Sequence, residues 1–219
     1  TVVGHTANAL QRANFSDSAM PAVIEGSSHD FLTDAFRDQT GADIGAIRGF
    51  RYGTHVPPGP IRLEDVYHFI PIGPQIASGI ITGEQVRNQI ENSADGALSP
   101  VITEWSGGWV FSYSGITFDL DPYAAKGMRS SRVKIGGVAL DPSMTYRYAS
   151  YWYSHDPLQV NGVPAEHVEV LKDEDGMPLD ATEVVVRYLE SMPSRRADTP
   201  LRRITLLKPL PPPVYGNRE

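Results

Sequence analysis

A helical pattern, a glycine and a short apolar run follow one another between residues 27 and 47, and this order predicts an α/β fold. Apolar side chains recur at helical spacing from Phe31 to Phe36, and Gly41 stands where a helix is expected to end. The run from Ile44 to Ile47 contains no polar side chain, which is typical of a buried strand. Arg48 is the next residue, so we expect a positively charged side chain at the end of this strand.

The loop after this strand is a candidate anion site, because it contains Arg48 and Arg51 among glycines. A guanidinium group is a planar fork of donors that matches carboxylate, phosphate or sulfonate oxygens. Glycine, here Gly49, lets the backbone approach a ligand closely. The alternative is a surface loop whose arginines pair with nearby acidic side chains, and the spacing does not decide between the two.

Other local signals extend the prediction to a mixed sheet with several helices. Ser27 or Ser28 is expected to cap the first helix. Two capping boxes, in which an N-cap side chain and the third helical residue bond each other's backbone, are predicted at Thr82 and at Asp180. Strands are predicted over residues 2–3, 75–82, 109–120 (broken at 114–115), 133–135 and 146–153, a short helix over 63–70, a turn over 57–60 and a loop over 95–107.

Composition excludes several classes of function. The chain has 219 residues and 41% hydrophobic content, which is enough for one sizeable core. Its net charge is -7 and it has no run of Lys and Arg, which argues against nucleic acid or an anionic membrane as partner. There is no cysteine, so disulfides, thiolate chemistry and cysteine-ligated metals are excluded. The chain opens without a methionine, so we expect further sequence upstream.

Aromatic side chains on two predicted strands provide candidate contacts for a planar ligand. They are Trp109, Phe111, Tyr113, Tyr151, Trp152 and Tyr153. Core packing is expected to account for about two of every three, and the outward face is left to stack on a ligand or a partner. His155 beside Asp156 is a candidate polar contact, with a plain surface histidine as the alternative. The histidines and carboxylates do not reach the density of a metal centre.

Several motifs, in their order and spacing, resemble the C-terminal domain of the bacterial 5′-nucleotidase family over most of residues 1–192. The loop motif is similar to the Gly-Phe-Arg-Trp-Gly-Thr motif of the thiosulfohydrolase SoxB branch. The matching segments are Glu25 to Phe36, Thr40-Gly41-Ala42-Asp43-Ile44, Gly49-Phe50-Arg51-Tyr52-Gly53-Thr54, Ile61-Arg62-Leu63-Glu64-Asp65-Val66-Tyr67, Thr82-Gly83-Glu84-Gln85-Val86, Ser114-Gly115-Ile116-Thr117-Phe118-Asp119 and Val133 to Arg147.

The resemblance implies a substrate-binding role in a hydrolase involved in nucleotide catabolism or sulfur oxidation. Members of the family carry two divalent metals on an N-terminal metallophosphoesterase domain. The resemblance implies that these metals are manganese. The arginine that matches Arg51 holds the phosphate of the substrate in nucleotidases, and aromatic side chains near Val110 and Tyr153 enclose the base. In the thiosulfohydrolases the substrate is a sulfonate on the flexible arm of a carrier protein. A periplasmic or extracellular location is implied.

The chain departs from the nucleotidases at two places and lacks the metal-binding domain. His29-Asp30 stands in place of a Gly-Asn pair, and Ser154-His155-Asp156-Pro157 in place of a Gly-Gly-Asp-Gly loop. Both changes favour the thiosulfohydrolase branch or another relative over a nucleoside-binding protein. We predict a binding domain over residues 1–192 and a Pro-rich tail over residues 193–219.

Two hypotheses follow. In the first, the chain is the specificity domain of a two-metal hydrolase, is not catalytic alone, contains no cofactor, and uses Arg51, Arg48, Tyr52, Gly49, Trp109, Phe111, Tyr153 and His155 to bind substrate. In the second, it is a stand-alone module or non-catalytic subunit that binds an anion or a partner. A metallophosphoesterase domain encoded upstream would favour the first, and a signal peptide directly before Thr1 the second.

Overall fold

The computed structural model describes residues 1–11, 23–48, 55–106, 109–199 and 201–210. The helices are α1 (Ser27–Thr40), α2 (Leu63–Phe69), α3 (Gly83–Leu98) and α4 (Ala181–Ser191), with short 3₁₀ turns at Ile102–Glu104 and Pro193–Arg195. The strands are β1 (Val2–Thr6), β2 (Ile44–Ile47), β3 (Gly59–Arg62), β4 (Gln75–Thr82), β5 (Ser112–Ser114), β6 (Ile116–Leu120), β7 (Ser130–Ile135), β8 (Val138–Ala139), β9 (Thr145–Trp152), β10 (Gln159–Val160), β11 (Val163–Pro164), β12 (Glu166–Val170) and β13 (Ile204–Leu206).

The main sheet has five strands in the order β12-β4-β9-β2-β5. Strand β2 runs parallel to β9 and antiparallel to β5, so the sheet is mixed. A second sheet has the order β13-β6-β7-β8, in which β13 is parallel to β6. The predicted α/β class with a mixed sheet is therefore confirmed.

Apolar side chains of the main sheet are divided between two clusters on its two faces. Successive residues of a strand point to opposite faces, and Ile76 and Ala77 of β4 accordingly belong to different clusters. The first cluster includes apolar side chains of α1, α2 and α4, and the second those of α3 and of the second sheet. The main sheet is thus the central layer, with three helices on one side and α3 with the second sheet on the other.

The first helix ends as predicted but begins differently. Gly41 has φ 61 and its N–H bonds the carbonyl groups of the last turn, which is how a glycine stops a helix. The predicted cap by Ser27 or Ser28 is wrong, because Gly26 is the N-cap and contributes no side-chain cap. The Ser27 hydroxyl instead donates to the Ala9 carbonyl at 2.7 Å, which holds the segment before the helix.

Both predicted capping boxes are present. Thr82 and Gln85 bond each other's backbone at the start of α3, as Asp180 and Glu183 do at the start of α4. The predicted loop over residues 95–107 is wrong at its beginning, because α3 continues to Leu98. Asp95 accepts hydrogen bonds from the Arg129 side chain at 2.7 Å and from Gly127 N at 2.9 Å, so contacts with a distant segment hold the last turn.

The predicted turn and the predicted tail both contain residues that form strands. The prolines at 57–60 do not form only a turn, because Gly59 to Arg62 is strand β3, which pairs with β1. Proline is accepted there because a strand with a single partner leaves one edge that needs no N–H donor. The described part of the predicted tail includes β13, which joins the second sheet. The boundary at residue 192 stays a prediction.

Among the residues that the structure describes, no helix combines the length and the apolarity needed to cross a membrane.

Candidate functional site

One edge of the main sheet brings Arg48 and Phe111 together. Ile47, the last residue of β2, pairs with Ser112, the first residue of β5, so Arg48 and Phe111 follow at adjacent positions beyond the strand ends. Because β9 runs parallel to β2, its last residue, Trp152, reaches the same edge. Two residues selected from sequence as site residues thus meet through strand pairing.

The Arg48 guanidinium lies over the Phe111 ring, with the Arg48 Cζ 5.6 Å from the ring centroid. This is a cation–π contact, in which the ring face attracts the positive charge. Phe111 is buried and Arg48 is exposed, so the arginine has a fixed support while its charge stays accessible.

A polar cavity of about 320 Å³ opens beside Arg48. Its described lining contains no carboxylate, and Arg48 is its only charged side chain there. Carboxamides dominate the rest, because α3 places amide side chains at positions i, i+3, i+4 and i+7, which share one helix face. The described lining residues are Arg48, Gln85, Asn88, Gln89, Asn92, Ser93, Ser106, Phe111, Asn161, Gly162, Val163 and Pro164.

The floor of this cavity contains buried polar groups. Gln89 Nε2 donates to the Tyr148 hydroxyl at 2.6 Å. Burial raises the pKa of Tyr148 to about 12, although the neighbouring Gln89 and Asn161 side chains oppose this, so the hydroxyl stays protonated at neutral pH. Gln89 Oε1 and Asn161 Nδ2 are buried and have no hydrogen-bond partner of acceptable geometry.

Some of the remaining predicted site residues lie away from the polar cavity, and the others are outside the described residues. Tyr153 is 45% exposed and its ring lies 5.6 Å from that of His155, centroid to centroid. Neither residue lines the polar cavity, and neither does the half-buried Trp109. Gly49, Arg51 and Tyr52 lie outside the described residues.

Three of the six aromatic side chains on the two predicted strands are buried in the core. Phe111, Tyr113 and Tyr151 are buried, and the rings of Phe111 and Tyr113 stack with centroids 6.2 Å apart. These three side chains therefore do not form an exposed aromatic surface on which a planar ligand could stack. Phe111 presents its ring to Arg48 rather than to open solvent.

A buried group of charges at the start of α1 was not found by sequence analysis. Arg203 Nη2 lies 2.7 Å from Asp34 Oδ2, and Arg203 Nε lies 4.0 Å from Asp30 Oδ2. Glu25 Oε1 accepts from the backbone N–H groups of Arg202 and Arg203 at 2.8 and 3.0 Å. Burial raises the pKa of Asp30 well above its usual value; Arg203 opposes the shift and Glu25 adds to it. This group links α1 to the segment before β13.

A larger cavity of about 730 Å³ lies near the end of α3 and is mainly apolar. None of the described predicted site residues lines it. Its cations are already paired, Arg129 with Asp95 at 2.7 Å and Lys126 with Glu104 at 3.6 Å. The part of its lining that the structure describes therefore offers no unpaired cation to an anionic ligand.

No group of three or more His, Asp or Glu side chains in the described ranges is arranged to hold a metal ion. A two-metal centre requires several such ligands to converge. The described residues therefore do not fit the metals that the family resemblance implies.

A family model described as "5′-nucleotidase, C-terminal domain" matches residues 2–157. Three solved structures share the fold. They are the Thermus thermophilus sulfate thiohydrolase SoxB in complex with glycerol (TM-score 0.73, 20% identity, 94% of this chain and 35% of that chain), a 5′-nucleotidase precursor from Thermus thermophilus (0.70, 22%, 94% and 39%) and the Haemophilus influenzae NAD nucleotidase NadN (0.69, 14%, 94% and 38%).

The chain thus spans between 35% and 39% of the length of these three proteins. A search of curated proteins found no significant match.

Proposed function

Because the chain belongs to the 5′-nucleotidase C-terminal domain family, we propose that it is the substrate-binding and specificity domain of a metal-dependent hydrolase. The observation that supports this most strongly is the Arg48 guanidinium, held over Phe111 beside a polar cavity whose described lining has no carboxylate. Such a site attracts an anion, and the proposed substrate is a phosphoester or a sulfonate bound to a carrier protein.

The role of this chain is to bind and orient the anion. Arg48, together with Arg51 from the adjoining loop, neutralises the negative group and positions it, which is an electrostatic contribution rather than acid–base chemistry. The two divalent metals, manganese by family resemblance, would be held by an N-terminal metallophosphoesterase domain or subunit and would supply the activation of water for hydrolysis. The chain alone is not catalytic in this proposal.

The thiosulfohydrolase type of substrate is favoured by the loop sequence Gly-Phe-Arg-Tyr-Gly-Thr at residues 49–54. A solved structure of a sulfate thiohydrolase is also among those that share the fold. In this form of the proposal the domain faces the flexible arm of a carrier protein, in the periplasm or outside the cell. Tyr52, Trp109, Tyr153 and His155 remain proposed contacts with the substrate.

The test is turnover by the full-length protein that contains this chain, assayed with manganese. AMP, a cyclic nucleotide and a peptide with a thiosulfonate-modified cysteine would be compared. We expect Arg48→Ala and Arg51→Ala each to lower kcat/KM by roughly tenfold or more, because each removes a charge-assisted contact with the anion. Arg87→Ala is the matched control, since Arg87 is an exposed arginine on α3 that does not line the cavity.

Unchanged kcat/KM in both Arg48→Ala and Arg51→Ala would contradict the proposal. A loss of the same size in Arg87→Ala would also contradict it, because the effect would then come from net charge. Activity on the thiosulfonate peptide alone would identify the sulfonate branch, and activity on AMP alone the nucleotidase branch.

A further inference from the structure

Two buried amide atoms in the cavity beside Arg48 lack hydrogen bonds. Gln89 is 9% exposed and its Oε1, an acceptor, has no partner. Asn161 Nδ2, a donor, is buried in the same cavity and, although the side chain neighbours the Tyr148 hydroxyl, it forms no hydrogen bond of acceptable geometry either. Buried polar atoms are nearly always hydrogen-bonded in folded proteins, so these two atoms are the places in this cavity where a ligand group would add hydrogen bonds.

We propose that Gln89 and Asn161 form a subsite for a hydroxyl group of an anionic ligand whose negative group binds Arg48. A hydroxyl oxygen accepts one hydrogen bond and donates another, so a ligand hydroxyl group supplies both the acceptor that Asn161 Nδ2 lacks and the donor that Gln89 Oε1 lacks. Gln89 is oriented for this role, because its Nε2 already donates to the Tyr148 hydroxyl at 2.6 Å. Because this hydrogen bond fixes the Nε2 end of the Gln89 amide, its Oε1 is left to accept from the ligand.

The charge of the cavity selects the sign of the ligand. The protein has a net charge of -7, yet the described lining carries one cation and no carboxylate. A negatively charged ligand is therefore attracted to this cavity, while a cationic ligand meets no carboxylate in the described lining. The cavity of about 320 Å³ is at the lower end of the range for ligand sites, which suits a compact polyhydroxylated anion.

This inference rests on the proposed function, because both assign the anion to Arg48. It adds that the neutral part of the ligand is recognised on the α3 side of the sheet, by side chains that the family resemblance does not select. Gln89 and Asn161 are then specificity-determining residues rather than catalytic ones.

The first experiment titrates the 219-residue chain with three probes: glycerol 3-phosphate, inorganic phosphate and glycerol. Affinity is measured by calorimetry, and the side-chain amide signals of Gln89 and Asn161 are followed by NMR. We expect glycerol 3-phosphate to bind about tenfold more tightly than phosphate or glycerol, because only it supplies both the anion and the hydroxyl. We also expect it alone to shift both amide signals strongly.

The second experiment uses a pair of isosteric variants. Asn161→Asp replaces the donor by an acceptor, and Asp accepts the left-handed backbone at this position, where φ is 52. Asn88→Asp introduces the same charge at an exposed position of the same cavity and is the control. We expect Asn161→Asp to weaken binding of glycerol 3-phosphate about tenfold or more, and Asn88→Asp by about threefold at most.

Equal affinity for the three probes, absence of binding, or equal losses in the two variants would each overturn the subsite. The titration of the unmodified chain tests the inference even if Asn161→Asp fails to fold. If the probes behave as expected but Arg48→Ala and Arg51→Ala both leave turnover of the full-length protein unchanged, the proposed function fails and the subsite remains. If turnover falls while the three probes bind equally, only the subsite fails.

Discussion

Replacing Arg203 by Met should lower the free energy of unfolding by about 3–5 kcal/mol at neutral pH, the usual range for removing one partner of a buried ion pair. The Arg203 side chain is 12% exposed and lies 2.7 Å from Asp34. Its Nη1 also donates to the Tyr113 carbonyl at 2.7 Å. Methionine preserves much of the length of the side chain but leaves these acceptors without a donor. It also leaves Asp30 and Asp34 without their cation.

The size of this loss should depend on pH in a defined direction. Burial already raises the pKa of Asp30, and Arg203 holds the shift down. Without Arg203 the folded-state pKa of Asp30 rises further. A carboxyl whose pKa is raised by folding contributes stability that is fully present below its unfolded pKa, about 3.9 for Asp. This stability is lost as pH rises through the folded value. The deficit of Arg203→Met should therefore be larger at pH 8 than at pH 5.

Urea denaturation of both proteins at pH 5, 7 and 8, followed by circular dichroism, measures these quantities. Arg196→Met is the matched control, because Arg196 pairs with Asp198 at 2.9 Å on an exposed part of the surface. An exposed pair of this kind contributes little to stability, because solvent and salt screen it. A deficit below about 1 kcal/mol for Arg203→Met, set against the 3–5 kcal/mol expected for a buried pair, would refute the reasoning. A deficit that shrinks from pH 5 to pH 8 would refute it too.

Two further substitutions test the packing and the capping of the fold. Gly45→Ala should destabilise the protein by roughly 3 kcal/mol in urea denaturation, because the new Cβ would lie 2.2 Å from the Thr33 carbonyl oxygen. A loss below about 1 kcal/mol, which is within the range of a tolerated core change, would contradict this prediction. Thr82→Ala should lower the free energy of unfolding by about 1 kcal/mol through loss of the N-cap, whereas Thr82→Ser keeps the hydroxyl that accepts from Gln85 N and should show little change.

Local sequence signals predicted the elements because their physical causes are local. The capping box at Thr82 and the stop at Gly41 depend on residues within one helical turn. Strand β4 was predicted with its observed bounds, because apolar side chains and flanking turn residues mark it. The end of α3 was missed, since Arg129 holds Asp95 there from a distant part of the chain.

The candidate site could be predicted only in part, because its residues meet through long-range pairing. Arg48 and Phe111 were selected separately, and the register of β2 with β5 places them side by side. The sequence around Asn161 did not indicate a binding residue, since a polar side chain followed by a glycine is equally typical of an ordinary turn. Arg203 was likewise missed, because its partner Asp34 lies 169 residues earlier in the chain.

Arg48 and Arg203 differ in whether the guanidinium group is available to a ligand or is already used within the fold. Arg203 uses its donors on Asp34, on the Tyr113 carbonyl and on Thr33, so its charge and its hydrogen bonds serve the fold. Arg48 lies over the face of an aromatic ring, a contact that uses its positive charge, and the Phe111 side chain has no polar atom that would occupy the N–H groups. Replacing Phe111 by Leu should therefore weaken anion binding without removing any donor, by releasing Arg48 from its support. Binding of glycerol 3-phosphate to Phe111→Leu, measured by calorimetry, checks this: a loss of about threefold to tenfold is expected, and unchanged affinity would show that the ring does not hold the arginine.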